Sequence, residues 1–313
     1  TIENPKHFWS SIWEFSNIKG IKNDKFHFPK EIFKSKFLVK SKLNYAENLL
    51  SKNDNSKAVT FISENGYREE TSWNELNNNT LKLIKFLKDN KIKEKDRIAA
   101  YTANQIETVE SFLATSAIGA IWSSCSPDFG IQGVIERFSQ IKPKVLIITD
   151  RYYYNGKEIN VLERLPAILK KIKSIKCVLI TKYPGKKSLK QNKINGIKIF
   201  YYNKIKYKNE REYTFKKFDF DKELAILYSS GTTGKPKCIC HRAGGVLLQH
   251  LKEHKLHCDV KEGDNVFYFT TCGWMMWNWL MTFLASKASI VLFDGFPMHK
   301  RSDLLFKIAE KEK

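Results

Sequence analysis

The stretch from Ser229 to Lys237 reads SSGTTGKPK and concentrates groups that can bind phosphate. It contains four hydroxyl side chains, two glycines and two lysines, and it has no bulky apolar residue. Hydroxyls and backbone N–H groups donate hydrogen bonds to phosphate oxygens, and lysines supply positive charge. The glycines, Gly231 and Gly234, allow a ligand to approach the backbone closely. This composition indicates a turn that binds a polyphosphate.

The spacing of the two glycines excludes the Walker phosphate loop. Only two residues separate Gly231 from Gly234, whereas the Walker pattern has four, and Pro236 stands where that pattern has a magnesium-binding hydroxyl. A plain polar surface turn is the simpler alternative. It is the less favoured one, because an apolar run at Leu224–Tyr228 predicts a buried strand that leads directly into the turn.

The same stretch resembles the phosphate-binding signature of the adenylate-forming ligase superfamily, which includes acyl-CoA synthetases, luciferases and peptide-synthetase adenylation domains. The resemblance implies that the turn wraps the β- and γ-phosphates of ATP, with Mg²⁺ bridging the phosphates. The residues implied are Ser229, Ser230, Gly231, Thr232, Thr233 and Gly234, with Lys235 and Lys237 as positive charges. Lys237 closes the motif, and Lys237 and Thr233 are the expected catalytic residues. No protein ligand of the metal is predicted.

Further segments resemble the acetyl-CoA synthetase branch of that superfamily. An aromatic helix predicted for Asn4–Phe15 and the segment Leu43–Leu50 resemble the extra N-terminal segment of the branch. Residues 123–130 and 269–278 are most similar to its acetoacetate-activating members. The resemblance implies that ATP converts acetoacetate to an acyl-adenylate, and that the thiol of coenzyme A then displaces AMP. The alternative is an acetate or propionate ligase, in which small or polar residues are expected where Met275 and Met276 stand.

The resemblance also implies two binding regions outside the turn. Trp274 matches the aromatic residue beside the acyl pocket and the thiol tunnel, and Met275 and Met276 would shape the pocket for the methyl-ketone end of acetoacetate. From the residues alone, a buried helix face that also includes Trp277 and Met281 stays open as an alternative.

A basic loop of the relatives, which contacts the CoA nucleotide, corresponds here to residues 154–157. Its first position is Tyr154 instead of arginine. Lys157 is therefore a candidate for binding the 3′-phosphate, but a solvated surface lysine is the favoured interpretation. For His241, four residues after the turn, a structural role is favoured over contact with phosphate.

Composition and charge restrict the class of protein. The chain has 313 residues, is 42% hydrophobic and carries a formal net charge of +21. A basic module that binds nucleic acid or nucleotides without catalysis is therefore a further alternative. It is not favoured, because the lysines are spread along the chain without a recognisable nucleic-acid motif. No signal peptide is visible, and the apolar stretch Trp274–Ala285 is too short to span a bilayer. We expect a cytoplasmic protein without membrane insertion, and no oligomeric state is predicted.

One cluster of histidines has the spacing of a metal site. His250, His254 and His257 follow one another at i, i+4 and i+7 and therefore share a helix face, with Cys258 beside them. The glutamate of the HExxH motif is missing, and further ligands are not evident. A partly exposed helix face is the favoured interpretation. The six cysteines form no CxxC pair, and a chain of this size needs no disulfide bonds for its stability.

Helices and strands alternate at a regular pitch along the chain. This pattern predicts an α/β fold with doubly wound, mostly parallel sheets, as in the large domain of the adenylate-forming ligases. The predicted strands are 58–63, 67–71, 97–101, 120–124, 144–149, 177–181, 197–201, 224–228, 266–270 and 289–293. We predict an N-terminal segment at residues 1–55 and a partial large domain at 56–313. The chain is expected to stop before the C-terminal domain, which carries the adenylation lysine, and to be inactive alone.

Overall fold

A computed structural model of the chain describes residues 3–207, 213–229 and 234–313. The helices are α1 (Pro5–Phe15), α2 (Tyr45–Leu49), α3 (Trp73–Asp89), α4 (Ile106–Ala117), α5 (Ile131–Ile141), α6 (Leu165–Lys171), α7 (Ala243–Leu256), α8 (Met275–Thr282) and α9 (Leu304–Lys311). The strands are β1 (Gly20–Ile21), β2 (Lys42–Leu43), β3 (Lys57–Ser63), β4 (Arg68–Ser72), β5 (Arg97–Tyr101), β6 (Ile121–Cys125), β7 (Val145–Thr149), β8 (Arg151–Tyr154), β9 (Lys157–Asn160), β10 (Cys177–Thr181), β11 (Lys198–Tyr201), β12 (Phe218–Asp219), β13 (Glu223–Ser229), β14 (Lys237–Arg242), β15 (Asn265–Phe267) and β16 (Ser289–Asp294).

A seven-stranded sheet organises the molecule, in the order β11-β10-β7-β5-β6-β13-β14. Its strands are parallel, except that β14 pairs antiparallel with β13. Every residue of β6, β7 and β10 is buried, as expected for parallel strands that are covered on both faces. The predicted α/β class with mostly parallel sheets is confirmed. Strand β14 was not predicted.

A second sheet of four strands has the order β15-β16-β3-β4. Strands β15, β16 and β3 are parallel, and β3 forms an antiparallel hairpin with β4. The two strands predicted at 58–63 and 67–71 form this hairpin, and Gly66 in its turn has φ +80°, which glycine adopts without strain. Helix α3 follows directly with a capping box, in which Ser72 accepts from the N–H of Glu75 and the Glu75 carboxylate accepts from the N–H of Ser72.

Helix α4 lies in the middle of the hydrophobic core. All of its residues except Glu107 are buried, and it packs against α2, α3, β3 and β6. Phe112 on this helix meets Trp122 and Trp277 in edge-to-face contacts with centroids 5.8 and 5.4 Å apart. Trp13 and Leu49 of the N-terminal segment belong to the same core cluster. The predicted domain boundary after residue 55 stays a prediction.

The histidine face of α7 is buried, so the prediction of a partly exposed face is wrong for two of its three histidines. His250 is 6% exposed and His254 is fully buried, whereas His257 is exposed. His254 stacks on Phe283 with centroids 3.4 Å apart, and burial lowers its pKa to about 2. Phe283, directly after α8, therefore covers this face of α7. Within the described part of the chain, no group of three or more His, Cys, Asp or Glu side chains could hold a metal ion. No helix in that part is long and apolar enough to cross a membrane.

Helix α4 carries two carboxyl groups with raised pKa values, the buried Glu110 and the half-buried Glu107. Glu110 accepts hydrogen bonds from Tyr202 Oη at 2.5 Å and from Asn79 Nδ2 at 2.8 Å. Burial raises the pKa of Glu110 to about 8 and that of Glu107 to about 7. Between the ordinary carboxyl range and these values, the folded state therefore binds more protons than the unfolded state. The free energy of unfolding should fall as pH rises through this range.

We expect Glu110→Gln to weaken this pH dependence. Glutamine keeps the shape and a carbonyl acceptor but removes the titrating charge, so the variant should gain stability relative to the original chain at pH 8 and not at pH 5. Urea unfolding at the two pH values measures the change. Glu14→Gln removes an exposed carboxylate and is the control. It should leave the free energy of unfolding nearly unchanged at both pH values. An equal effect of Glu110→Gln at pH 5 and pH 8 would contradict the assignment.

Candidate active site

The predicted phosphate turn joins two antiparallel strands. β13 ends at Ser229, β14 begins at Lys237, and these two residues are register partners in the hairpin. Gly234 has φ +103°, a backbone angle at which a side chain is strained. Lys235 and Lys237 are exposed, and Ser229 is half-buried. The predicted strand that leads into the turn is confirmed. The predicted residues Ser230, Gly231, Thr232 and Thr233 lie outside the described part of the chain.

Helix α5 supports both sides of this hairpin. Gln140 Nε2 donates to the carbonyl oxygen of Pro236 at 2.9 Å, on the exit of the turn. On the entry side, Tyr228 Oη donates to the carbonyl oxygen of Arg137 at 3.2 Å. Ser123 Oγ on β6 donates to the carbonyl oxygen of Ile226 at 2.8 Å. These bonds tie the ends of the turn to the parallel sheet, so the turn is held at the carboxyl edge where α/β folds bind ligands.

An open groove of about 620 Å³ lies between the end of β14 and helices α7 and α8. It is lined by His241, Arg242, Gly245, Val246, Gln249, His250, Glu253, Met275, Met276 and Trp279. The structure therefore brings the predicted pocket residues Met275 and Met276 together with His241. Burial lowers the pKa of His241. This groove has an apolar wall beside a few polar groups, which is the usual character of a small-molecule site.

The predicted pocket residue Trp274 does not line this groove. It is the N-cap residue of α8, and its side chain is 65% exposed. Gly273 before it is tightly packed, because a Cβ atom there would lie 3.3 Å from both Phe129 and the backbone of Ser126. Trp277 and Met281, for which a buried helix face stayed open, are fully buried in the core. The role of Trp274 beside an acyl pocket stays a prediction.

Lys157, the predicted contact of the CoA nucleotide, follows the turn of the β8–β9 hairpin and is exposed. The turn residues Asn155 and Gly156 have φ +49° and +79°. Their amides donate to the carboxylate of Glu64 at 2.8 and 2.7 Å. The donors of this turn are thus occupied by a carboxylate of the chain itself. These two backbone amides are therefore not available to a bound phosphate, and the contact of the Lys157 side chain with one stays a prediction.

A buried polar network joins the ends of the two sheets to helix α8. Asp294 at the end of β16 accepts from the N–H of Asn104 at 2.8 Å and from Tyr183 Oη at 3.1 Å. Burial raises the pKa of Asp294 to about 7. Asn104 Oδ1 in turn accepts from Trp277 Nε1 at 2.9 Å, which fixes α8 against the end of β5. Sequence reasoning missed this network. Its one local signal is an aspartate followed by glycine at the end of a predicted strand.

Residues 48–313 match the model of a family described as "AMP-binding enzyme". The chain belongs to this AMP-binding enzyme family. The resemblance to adenylate-forming ligases is thereby confirmed, and the hairpin of β13 and β14 lies within the matched part of the AMP-binding enzyme.

This AMP-binding enzyme has several acetoacetyl-CoA synthetases among its relatives. It is 41% identical over 307 residues to an acetoacetyl-coenzyme A synthetase of Rhizobium meliloti (strain 1021), covering 98% of this chain and 47% of that protein. It is 39% identical over 320 residues to an acetoacetyl-CoA synthetase of Gallus gallus, covering 99% and 48%. A solved structure of acetoacetyl-CoA synthetase from Streptomyces lividans superposes with a TM-score of 0.88 at 31% identity, covering 98% of this chain and 47% of that one. The chain thus spans about half the length of these relatives, and the predicted similarity to acetoacetate-activating members is confirmed.

Proposed function

We propose that the chain is part of an AMP-forming ligase that converts acetoacetate, ATP and coenzyme A to acetoacetyl-CoA. The observation that supports this most is the 41% identity to an acetoacetyl-CoA synthetase across 98% of the chain. The turn and the groove are joined by one strand, because β14 begins at the exit of the glycine- and hydroxyl-rich turn and its last two residues, His241 and Arg242, line the groove. Since the relatives are about twice as long, the proposal concerns the full-length protein.

The reaction divides into two displacements. In the first, a carboxylate oxygen of acetoacetate attacks the α-phosphorus of ATP, and the bond to pyrophosphate breaks. In the second, the sulfur of coenzyme A attacks the acyl carbonyl, the bond to AMP breaks, and the thiol proton passes to solvent. The first step depends mainly on positioning and on neutralising phosphate charge.

We assign the phosphate-binding role to the turn. Ser229, Gly234 and the four turn residues outside the described part would donate to the β- and γ-phosphates. Lys235 and Lys237 are exposed and would neutralise charge, with Lys237 and Thr233 as the catalytic residues. Mg²⁺ is proposed as a partner of ATP. It is held largely by phosphate oxygens in such sites, so the few oxygen ligands of the turn suit it.

We assign the acyl group to the groove beside Met275 and Met276. The about 620 Å³ of this groove exceeds what a four-carbon acid needs, and it is open on one side. The flexible methionines would close around the methyl-ketone end. A cytoplasmic location and the lack of a nucleic-acid partner stay predictions.

A steady-state assay of the full-length protein tests the proposed function. AMP and thioester formation is measured with acetoacetate, acetate and propionate under identical ATP and CoA concentrations. We expect kcat/KM to be highest for acetoacetate. A higher value for acetate or propionate would favour the short-chain alternative. Salt-dependent retention on DNA, with no acid-dependent release of AMP, would instead favour a basic binding module.

Trp274 stands directly before Met275, outside the lining of the groove, and we propose that its exposed ring closes the acyl site from that side when the acid binds. Trp274→Ala is then expected to raise the KM for acetoacetate at least about 10-fold while changing the KM for ATP less than about two-fold, because a lost contact with the acid weakens binding of the acid alone. The two KM values are measured on the full-length protein. Phe33→Ala, at a side chain that is 82% exposed and lies in the N-terminal segment, is the control and should change neither. Equal effects of Trp274→Ala on both KM values would defeat the assignment.

A further inference from the structure

We propose that His250 determines which acids the groove accepts, by presenting Nε2 as a hydrogen-bond acceptor toward the β-substituent of the bound acid. The acids selected are short ones with a polar β-substituent. A hydroxyl or an amide N–H donates directly to Nε2, and a ketone oxygen is reached through one water molecule that donates to both. This inference rests on the proposed function in one respect, namely that the groove holds the acyl group.

The hydrogen bonds of Thr282 determine which ring nitrogen of His250 carries the proton. Thr282 Oγ1 donates its single proton to the carbonyl oxygen of Asn278 at 2.9 Å, one helical turn earlier. Its oxygen therefore accepts its two remaining bonds. They come from Tyr45 Oη at 2.7 Å and from His250 Nδ1 at 2.7 Å. The ring proton of a neutral His250 thus lies on Nδ1, and Nε2 carries a lone pair.

The surroundings of the ring keep it neutral. His250 is 6% exposed, and burial lowers its pKa to about 3. Tyr45 and Thr282 are themselves buried, so their hydroxyls hold the ring from the core side. An imidazole that is neutral and anchored at one nitrogen cannot switch easily between donor and acceptor at the other.

The other polar groups of the groove leave this acceptor unpaired. Gln249 Nε2 donates to Glu253 at 2.8 Å, and Trp279 Nε1 donates to the same carboxylate at 3.1 Å. In the described part of the chain, no side chain or backbone group bonds to His250 Nε2. Met275 and Met276, beside which we place the acyl group, form an apolar part of the groove wall. A buried acceptor of this kind selects among substrates, because an acid that cannot hydrogen-bond to it leaves the acceptor unpaired and binds more weakly.

Four acids of similar size test this inference on the full-length protein. Butyrate has no polar β-substituent, 3-hydroxybutyrate and malonamate carry donors, and acetoacetate carries a ketone. Each is assayed for acid-dependent ATP–pyrophosphate exchange. We expect His250→Leu to lower kcat/KM about 10-fold for the three polar acids and to leave butyrate unchanged or improved, because one hydrogen bond is lost. Thr282 keeps its bonds to Tyr45 and to the carbonyl oxygen of Asn278 in this variant, so the Thr282 hydroxyl stays hydrogen-bonded.

Two further variants separate specificity from folding. His254→Leu changes a buried histidine one turn further on that does not line the groove, and it should leave the ratios between acids unchanged. Thr282→Val removes the partner that fixes the ring proton, and it should shift the ratio of malonamate to acetoacetate toward the ketone. Equal losses for butyrate and the polar acids in His250→Leu would overturn the inference. If the unmodified protein activates none of the four acids, the proposed function fails instead.

Discussion

Replacing Gly234 by valine in the full-length protein is expected to lower acid-dependent ATP–pyrophosphate exchange at least about 100-fold. Gly234 has φ +103°, and a β-branched residue reaches that angle only with strain of about 1–3 kcal/mol. Among the described residues, no atom lies within 4 Å of a Cβ atom placed at Gly234, so the expected effect comes from the strained backbone. A shifted backbone turns the donors of the turn away from the phosphates, and one misplaced donor costs about 10²–10³ in rate.

Gly66→Val is a matched control for this prediction. Gly66 has φ +80° in the β3–β4 turn, and a Cβ atom there also meets nothing within 4 Å. The two variants should therefore lose comparable stability, which thermal unfolding measures. Only Gly234→Val should lose exchange activity. Unchanged exchange in Gly234→Val would refute the assignment of the turn, and an equal loss in both variants would show a general effect of the strain.

Trp277→Ala is expected to destabilise the fold by about 3–5 kcal/mol, the usual cost of truncating a large buried aromatic side chain. Trp277 is fully buried, stacks against Trp122 with centroids 6.3 Å apart and donates from Nε1 to Asn104. The alanine variant leaves a cavity and removes a partner from the buried network at the end of β5. Urea unfolding followed by far-ultraviolet circular dichroism measures the loss.

Two variants give this second prediction its controls. Trp277→Phe keeps most of the volume and should cost about 1–3 kcal/mol, mainly through the lost donor to Asn104. Trp274→Ala, three residues earlier at a side chain that is 65% exposed, should cost less than about 1 kcal/mol. A loss below about 1 kcal/mol for Trp277→Ala would contradict its place in the core.

Much of the fold could be predicted from local patterns. Strands such as Arg97–Tyr101 and Cys177–Thr181 are short apolar runs, and their predicted bounds agree with the structure. Strand β14 could not be found this way, because its residues KCICHR are almost all exposed and show no alternation. It lies at the edge of the sheet, where burial does not constrain the sequence.

The candidate site likewise has one part that the sequence predicts and another part that it does not. The phosphate turn is recognisable because its chemistry lies in consecutive residues. The burial of His250 and His254 on α7 could not be predicted, because helical spacing shows which residues share a face but not what packs against it. Phe283 packs against His254 on this face. The acceptor at His250 depends on Thr282 and on Tyr45, which is distant in sequence. Contacts between residues so far apart in the chain leave no recognisable pattern in the local sequence.

The most direct test of the central claim is lysine labelling of the full-length protein with and without MgATP. A small acylating reagent is applied briefly, and the labelling rate of each lysine is read from peptide masses. Lys235 and Lys237 are exposed and should be protected at least about five-fold by MgATP, while the exposed Lys85, which is paired with Asp89, should not change. Protection of neither Lys235 nor Lys237 by saturating MgATP would contradict the claim that this turn binds the phosphates.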